Sequence, residues 1–171
     1  MVKPILQVVG YQNSGKTTVM NHLVKAAEAS GLKAGTIKHH GHGGKPDYQD
    51  SEKDSSRHFQ AGAAISAVEG DGAVVIESES GLSDLENLLT FYSTLPLHVI
   101  LIEGYKRESY SKVIVIRDEE DSALLDQCEN IEAVITELPI DRLDLSVFTF
   151  QDVKGYTDWF KNWLKEGESD V

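Results

Sequence analysis

The segment of this 171-residue chain richest in recognisable chemistry is Gly10-Tyr-Gln-Asn-Ser-Gly15-Lys16-Thr17. It fits G-x-x-x-x-G-K-[ST], the spacing of a phosphate-binding loop, at every fixed position. The spacing has a physical reason. A loop that wraps a polyphosphate must turn its backbone amides inward, and Gly10 and Gly15 allow the dihedrals and the close approach this requires. Gln12, Asn13 and Ser14 supply the amides between them. A helix starting near Lys16 adds its own N-terminal amides, including that of Thr18, and its dipole. Lys16 is a point charge for the outer phosphates, and the Thr17 hydroxyl is a ligand for Mg²⁺. A glycine turn before a helix could share this pattern by chance, but here an apolar strand precedes it and an amphipathic helix follows.

A second signal is an acidic residue beside such a loop, at the end of a buried strand, placed to hold the magnesium shell. Glu103, after Val99-Ile-Leu-Ile102, is the best match. It is Glu where the template has Asp, so its longer arm suits contact through a bound water. Other residues are placed to touch a ligand. Lys38 ends a second strand and His39 follows it, Arg57 sits beside Asp54, and Lys106 with Arg107 lies just past Glu103. Loops at strand ends form the ligand crevice of open α/β sheets. His39, His40 and His42, with Asp47 and Asp50, offer imidazole and carboxylate donors that suit first-row metals, although no fixed zinc spacing is present.

These residues need elements to position them. Ile5–Val9 reads as a short buried strand, and Lys16 to about Ala29 as a helix with Val19, Met20, Leu23, Val24 and Ala27 on one face, ended by Gly31. Lys33–Lys38 is a second strand, and residues 39–53 form a polar loop. A short helix is expected from Asp54 to Gly62. Two strands, Ala63–Glu69 and Ala73–Glu77, are joined by the turn Gly70-Asp71-Gly72. Ser83-Asp-Leu-Glu86 has the pattern of a capping box, with Leu85, Leu88, Leu89 and Tyr92 at helical spacing behind it. His98–Ile102, Lys112–Ile116, Glu132–Thr136 and Val147–Phe150 are further strands, with a short helix over Asp121–Gln127. A last helix puts Tyr156, Trp159, Phe160, Trp163 and Leu164 on one face. Strands alternating with helices predict an α/β fold like that of P-loop NTPases. It would have three layers, a mostly parallel sheet with helices on both faces, and a hairpin-like insertion. Residues 1–171 are expected to form a single nucleotide-binding domain.

The net charge is −12. That argues against nucleic acid, whose binding relies on lysine and arginine neutralising phosphates, and against an anionic membrane surface. Cys128 is the one cysteine, so no internal disulfide can form. It carries no local catalytic signature and reads as structural. Ile5–Val9 is too short for the apolar core of a signal peptide, and no run reaches membrane-spanning length, so a cytoplasmic protein is expected.

Several motifs together resemble the MobB family, the adaptor proteins of molybdopterin-guanine dinucleotide biosynthesis. They are the loop ending Gly15-Lys16-Thr17-Thr18, Ile37-Lys38-His39-His40, Lys53-Asp54-Ser55, Arg57-His58 and Ala61-Gly62-Ala63. Leu101-Ile102-Glu103-Gly104-Tyr105-Lys106 and Ala133-Val-Ile-Thr136 complete the set. The resemblance spans most of residues 4–140. It implies a GTP- and Mg²⁺-binding partner of the molybdenum cofactor guanylyltransferase, a homodimer with weak GTP hydrolysis, and molybdopterin as a further ligand. Two places depart from the family pattern. The histidine run reads Lys38-His-His-Gly-His42, and Glu137 follows Thr136 where the family often has Asp. A carboxylate there would accept from guanine N1–H and N2–H, which makes Glu137 the guanine candidate.

Two alternatives stay open. A metallochaperone-like GTPase would use the histidines of 39–42. A small-molecule kinase would need more arginines on the transferred group than Arg57, Arg107, Arg117 and Arg142 provide. No water-positioning glutamine or arginine finger is assignable, so no catalytic residue is named. Turnover is expected to be slow unless a partner supplies the missing group.

Overall fold

The computed structural model describes residues 3–40, 57–58, 61–78, 81–82, 84–142 and 144–169. In chain order its elements are β1 (Ile5–Val9), α1 (Lys16–Ala29), β2 (Ala34–Lys38), β3 (Ile65–Gly70), β4 (Ala73–Ser78) and α2 (Leu85–Ser93). They continue with β5 (Val99–Glu103), β6 (Ser111–Val115), a 3-10 turn (Glu119–Ala123) leading into α3 (Leu124–Gln127), β7 (Ile131–Ile135), β8 (Ser146–Phe148) and α4 (Val153–Ser169). Residues 1–41 and 96–171 make one compact unit, and residues 42–95 a second.

The first unit is built on a six-stranded sheet in the order β2-β5-β1-β6-β7-β8, every pairing parallel. A parallel sheet is covered on both faces, so its inner strands must be apolar throughout. Val99, Ile100, Leu101 and Ile102 are each 2% exposed or less. The period-2 alternation of strands then divides the core. Leu6, Val8, Leu101, Val113 and Val115 pack with Val19, Met20 and Leu23 of α1 and with Tyr156, Phe160 and Leu164 of α4. Val9, Ile114, Ile116 and Val134 face the other way, against Leu124 and Cys128. From β1 the chain runs through α1 to β2 at the sheet edge, returns to β5, and crosses β1 to reach β6. The direction of winding therefore reverses at β1, and the crevice that opens at such a switch point lies at its carboxyl end, where Gly10 begins the loop.

Helix α1 ends as its glycine predicts. Gly31 has φ +74°, and the N–H groups of Gly31 and Leu32 bond the carbonyls of Glu28 and Ala27, a Schellman closure. Several edges differ from the sequence expectation by a residue or two. Phe150 lies outside the last strand, because the chain already turns toward Asp152. The Asp152 carboxylate accepts from Gly155 N–H at 2.9 Å in the first turn of α4. Lys112, the second residue of β6, is fully buried. Its ammonium donates to the carbonyls of Glu108 and Tyr110, the partners a buried charge requires.

In the second unit β3 and β4 form their own antiparallel sheet, with Gly70 paired to Ala73. The expected three-residue turn is a two-residue one. Asp71 and Gly72 have φ +50° and +76°, the conformation of a type I′ hairpin. The expected capping box at Ser83 is also corrected. Asp84 is the N-cap of α2, its carboxylate accepting from Asn87 N–H at 2.8 Å. The box forms instead at Asp118 and Asp121, whose side chains bond each other's backbone amides. Residues 41–53 of the polar loop, and all but Arg57, His58, Ala61 and Gly62 of the short helix, lie outside the described residues.

Candidate functional site

The loop from Gly10 to Thr17 joins the central strand to α1. At Gly10 an added Cβ would lie 2.5 Å from Ser14 Oγ and 2.8 Å from the carbonyl of Val115 in β6, so only glycine lets the loop leave the strand there. Asn13 and Gly15 hold φ of +61° and +101°. These left-handed residues turn successive amides to one side. Gly15 is the N-cap of α1, no side chain caps that helix end, and its first turn holds no acidic residue. The dipole at this helix end is thus left uncompensated, which favours an anion, while Thr18 and Val19 N–H donate to the Gly15 carbonyl at 3.0 and 3.1 Å and Ser14 N–H to the Tyr11 carbonyl at 3.3 Å. Ser14 Oγ is buried and has no hydrogen-bond partner among the described residues. A buried hydroxyl of this kind in a phosphate-type loop fits a ligand that completes it. Lys16 Nζ donates to the Tyr11 carbonyl, which folds its side chain back over the loop. Burial pushes the Lys16 ammonium below its ordinary value, against the opposing pull of Glu103. Gln12 and Thr18 are exposed at the loop and the first turn.

Thr17 Oγ1 donates to both oxygens of Glu103, at 3.2 and 3.0 Å. The two residues lie 86 positions apart and meet because β5 pairs with β1 in parallel, Val8 opposite Glu103. Glu103 is also opposite Lys38 of β2, and Lys38 Nζ reaches Glu103 Oε1 at 3.1 Å. The Lys38 side chain is 64% exposed, so this pair adds little stability. A hydroxyl and a carboxylate are hard oxygen donors, the set that suits Mg²⁺. The sequence expectation for both residues is therefore compatible with the geometry.

Past Glu103, Gly104 and Tyr105 hold φ of +96° and +53°. Gln7 in the middle of β1 pins that turn, donating from Nε2 to the carbonyls of Gly104 at 3.1 Å and Tyr105 at 2.8 Å. The turn brings Lys106 back to the loop, with Nζ 4.9 Å from the centre of the Tyr11 ring. His39 donates its backbone N–H to the Glu103 carbonyl at 2.9 Å, and its ring lies 4.4 Å from that of Tyr105. Lys38, His39, Glu103 and Lys106 therefore gather at the β1–β5–β2 end of the sheet. His40 is exposed, His42 lies outside the described residues, and Arg57 is an exposed residue of the second unit.

On the other flank of the loop, Glu137 follows β7 and accepts from Phe150 N–H at 3.0 Å through Oε1. The Phe150 ring lies against Gly15, 3.4 Å from where a Cβ would stand. Arg117, at the end of β6, holds its guanidinium 5.2 Å from the centre of the same ring. Sequence reasoning missed Gln7, Arg117 and Phe150 as parts of this site. Gln7 leaves a signal, a polar residue inside the apolar run Ile5–Val9. Nothing local marks Arg117 or Phe150. Cys128 is buried, burial raises its thiol pKa, and it lies against the Lys106 carbonyl, consistent with a structural role.

Among the described residues no helix is long and apolar enough to cross a membrane. The family model for molybdopterin guanine dinucleotide synthesis protein B matches residues 5–137. The chain is 42% identical over 132 residues to the "Probable molybdopterin-guanine dinucleotide biosynthesis adapter protein" of Bacillus subtilis, covering 77% of this chain and 75% of that one. It is 29% identical over 170 residues to the Escherichia coli adapter protein, covering 95% and 94%. The crystal structure of a MobB homologue from Bacillus stearothermophilus superposes with a TM-score of 0.75 at 37% identity, covering 95% and 98%. That of Bacillus subtilis MobB does so with 0.77 at 36%, covering 93% and 96%. The strand order, the loop and the carboxylate beside it thus sit in a chain that belongs to the MobB family.

Proposed function

We propose that the chain holds GTP with Mg²⁺ at Gly10–Thr17 and serves as an adaptor in molybdopterin-guanine dinucleotide biosynthesis, presenting nucleotide to the molybdenum cofactor guanylyltransferase. The observation that carries this is the convergence of a phosphate loop on α1 with Glu103 on β5 through Thr17. The loop amides, the α1 N-terminus and Lys16 bind the phosphates. Thr17 and Glu103 hold the cation, which when bound neutralises charge on the outer phosphates. Lys38, His39 and Lys106 line the same end of the sheet and suit the terminal phosphate or the anionic molybdopterin. Hydrolysis is slow, since no residue at the loop is assignable to positioning water. The chain works as a homodimer in the cytoplasm. The metallochaperone reading leans on His39, His40 and His42; His42 lies outside the described residues, and no observation among the described residues favours it.

The test is a reconstituted transfer assay at limiting GTP. Adding the wild-type chain to purified guanylyltransferase should raise the rate of dinucleotide formation, and Lys16→Ala should not. Equal stimulation by the two proteins would refute the reading.

A further inference from the structure

Residues 104–110 join β5 to β6 outside any helix or strand, so their carbonyls have no ladder to bond. Side chains of neighbouring elements take its place. Gln7 Nε2 of β1 donates to the carbonyls of Gly104 and Tyr105 at 3.1 and 2.8 Å. Cys128 Sγ, at the C-cap of α3, lies 3.6 Å from the Lys106 carbonyl. Lys112 Nζ of β6 donates to the carbonyl of Glu108 and, at 2.8 Å, to that of Tyr110. Asn130 Nδ2 donates to the Ser109 carbonyl at 2.5 Å. Gln7 and Lys112 are register partners on adjacent strands, and both are fully buried. Lys106 and Arg107 are exposed on the turn that these bonds hold, and Lys106 Nζ stands 4.9 Å from the centre of the Tyr11 ring.

We infer that this turn is a fixed mount for Lys106, which acts as a further cation for the anion held in the loop, and that Lys112 and Gln7 are its positioning residues. The inference rests on the phosphate reading of Gly10–Thr17 and adds a contact to it. Tyr11 belongs to that loop, so an ammonium over its ring stands at the rim of the anion site. The ring restrains the ammonium and leaves N–H groups for phosphate oxygens. Fixing matters here for two reasons. The chain carries a net charge of −12, so a polyphosphate is repelled at long range and depends on cations placed close to it. A lysine already held in place also loses less rotamer freedom when the anion arrives. The cost of the mount is visible in the core. An ammonium at Lys112 is expensive to bury, and burial pushes it below its ordinary value. Gln7 Oε1 is buried with no hydrogen-bond partner among the described residues. Both polar groups break an otherwise apolar sheet, and both spend their donors on the same turn. Local rules broken at the expense of stability mark functional positions.

The experiment measures calorimetric binding of inorganic tripolyphosphate, with Mg²⁺, to the full chain, to Lys106→Ala, Gln7→Leu and Lys112→Met, and to Lys106→Ala combined with each of the other two. Tripolyphosphate has phosphates and no base, so it reports on the loop and its rim. Lys106→Ala should lower affinity about 10-fold, the scale of one hydrogen bond to a charged group. Gln7→Leu changes no charge, so its loss is one of position; it and Lys112→Met should each give up most of that factor. Beside Lys106→Ala they should cost no more than about twofold, because the residue they position is gone. A merely structural role would cost the same in both backgrounds. Position is also read directly: with ¹³C-labelled lysine, the Tyr11 ring current should shift the Lys106 Hε resonance upfield in the parent. That shift should vanish in Tyr11→Leu, Gln7→Leu and Lys112→Met. If neither buried variant folds, the same cycle is run on Asn130→Gly, which releases the Ser109 carbonyl at an exposed position whose φ of +55° suits glycine. Its loss should likewise disappear beside Lys106→Ala. Unchanged affinity in Lys106→Ala, or equal changes in the two backgrounds, would overturn the mount while leaving the loop reading intact. Failure of the parent chain to bind tripolyphosphate would overturn the loop reading and this one with it.

Discussion

At Thr17 one hydroxyl meets both oxygens of Glu103, and this contact joins two segments far apart in sequence. Removing the carboxylate should act on the metal-dependent part of binding alone. Glu103→Ala is expected to lower GTP affinity about 10-fold or more in Mg²⁺, the scale of a charged contact, and to have little effect in EDTA. Titrations in the two buffers measure this directly. Lys16 gives a pH dependence of known sign. Burial holds its ammonium below the ordinary 10.5 in the free protein, and bound phosphates raise it, so binding takes up a proton where the free amine is partly neutral. Affinity for tripolyphosphate should therefore fall as pH climbs toward 10.5. Lys16→Arg should flatten that slope, since arginine does not titrate there. The loop and Glu103 were legible in the sequence because their signal is local: a fixed spacing, and an acid ending an apolar run. Arg117 and Phe150 were not, because what brings Phe150 to Gly15 and Arg117 to Phe150 is strand order, which no local pattern carries.

Elements position these residues through close packing at two places. Gly10 has no room for a side chain: Ser14 Oγ can rotate away from an added methyl, but the Val115 carbonyl belongs to the sheet and cannot. Gly10→Ala should cost about 1–3 kcal/mol of stability and displace the loop from its ligand geometry. Urea denaturation and calorimetry read the two effects separately. Helix α4 seats Phe160, fully buried, against the face of the sheet that also carries α1. Phe160→Ala should cost about 3–5 kcal/mol by the same denaturation measurement. Most elements were legible because apolar periodicity survives without tertiary information. What shifted was their ends. Asp84 rather than Ser83 caps α2, and Phe150 escapes β8 because the entry into α4 competes for those residues.

At the scale of the whole chain, the hairpin β3–β4 is a two-stranded sheet with Ile65, Val68, Val74, Val75 and Ile76 exposed. Two strands alone are marginal in water, and this apolar surface fits the homodimer proposed above. Val74→Lys with Ile76→Lys should shift the protein from dimer to monomer in sedimentation equilibrium; an unchanged dimer would place the interface elsewhere. The parallel sheet and its hairpin insertion were both foreseeable from alternating strands and helices, whereas the strand order was not. The nucleotide claim is tested most directly by calorimetric titration of the chain with GTP and Mg²⁺, beside Lys16→Ala at equal folded content. The prediction is stoichiometric binding by the parent and a loss of about 100-fold in the variant, the scale of a charge-assisted contact to phosphate. Equal affinity in the two proteins, or no binding by either, would contradict it.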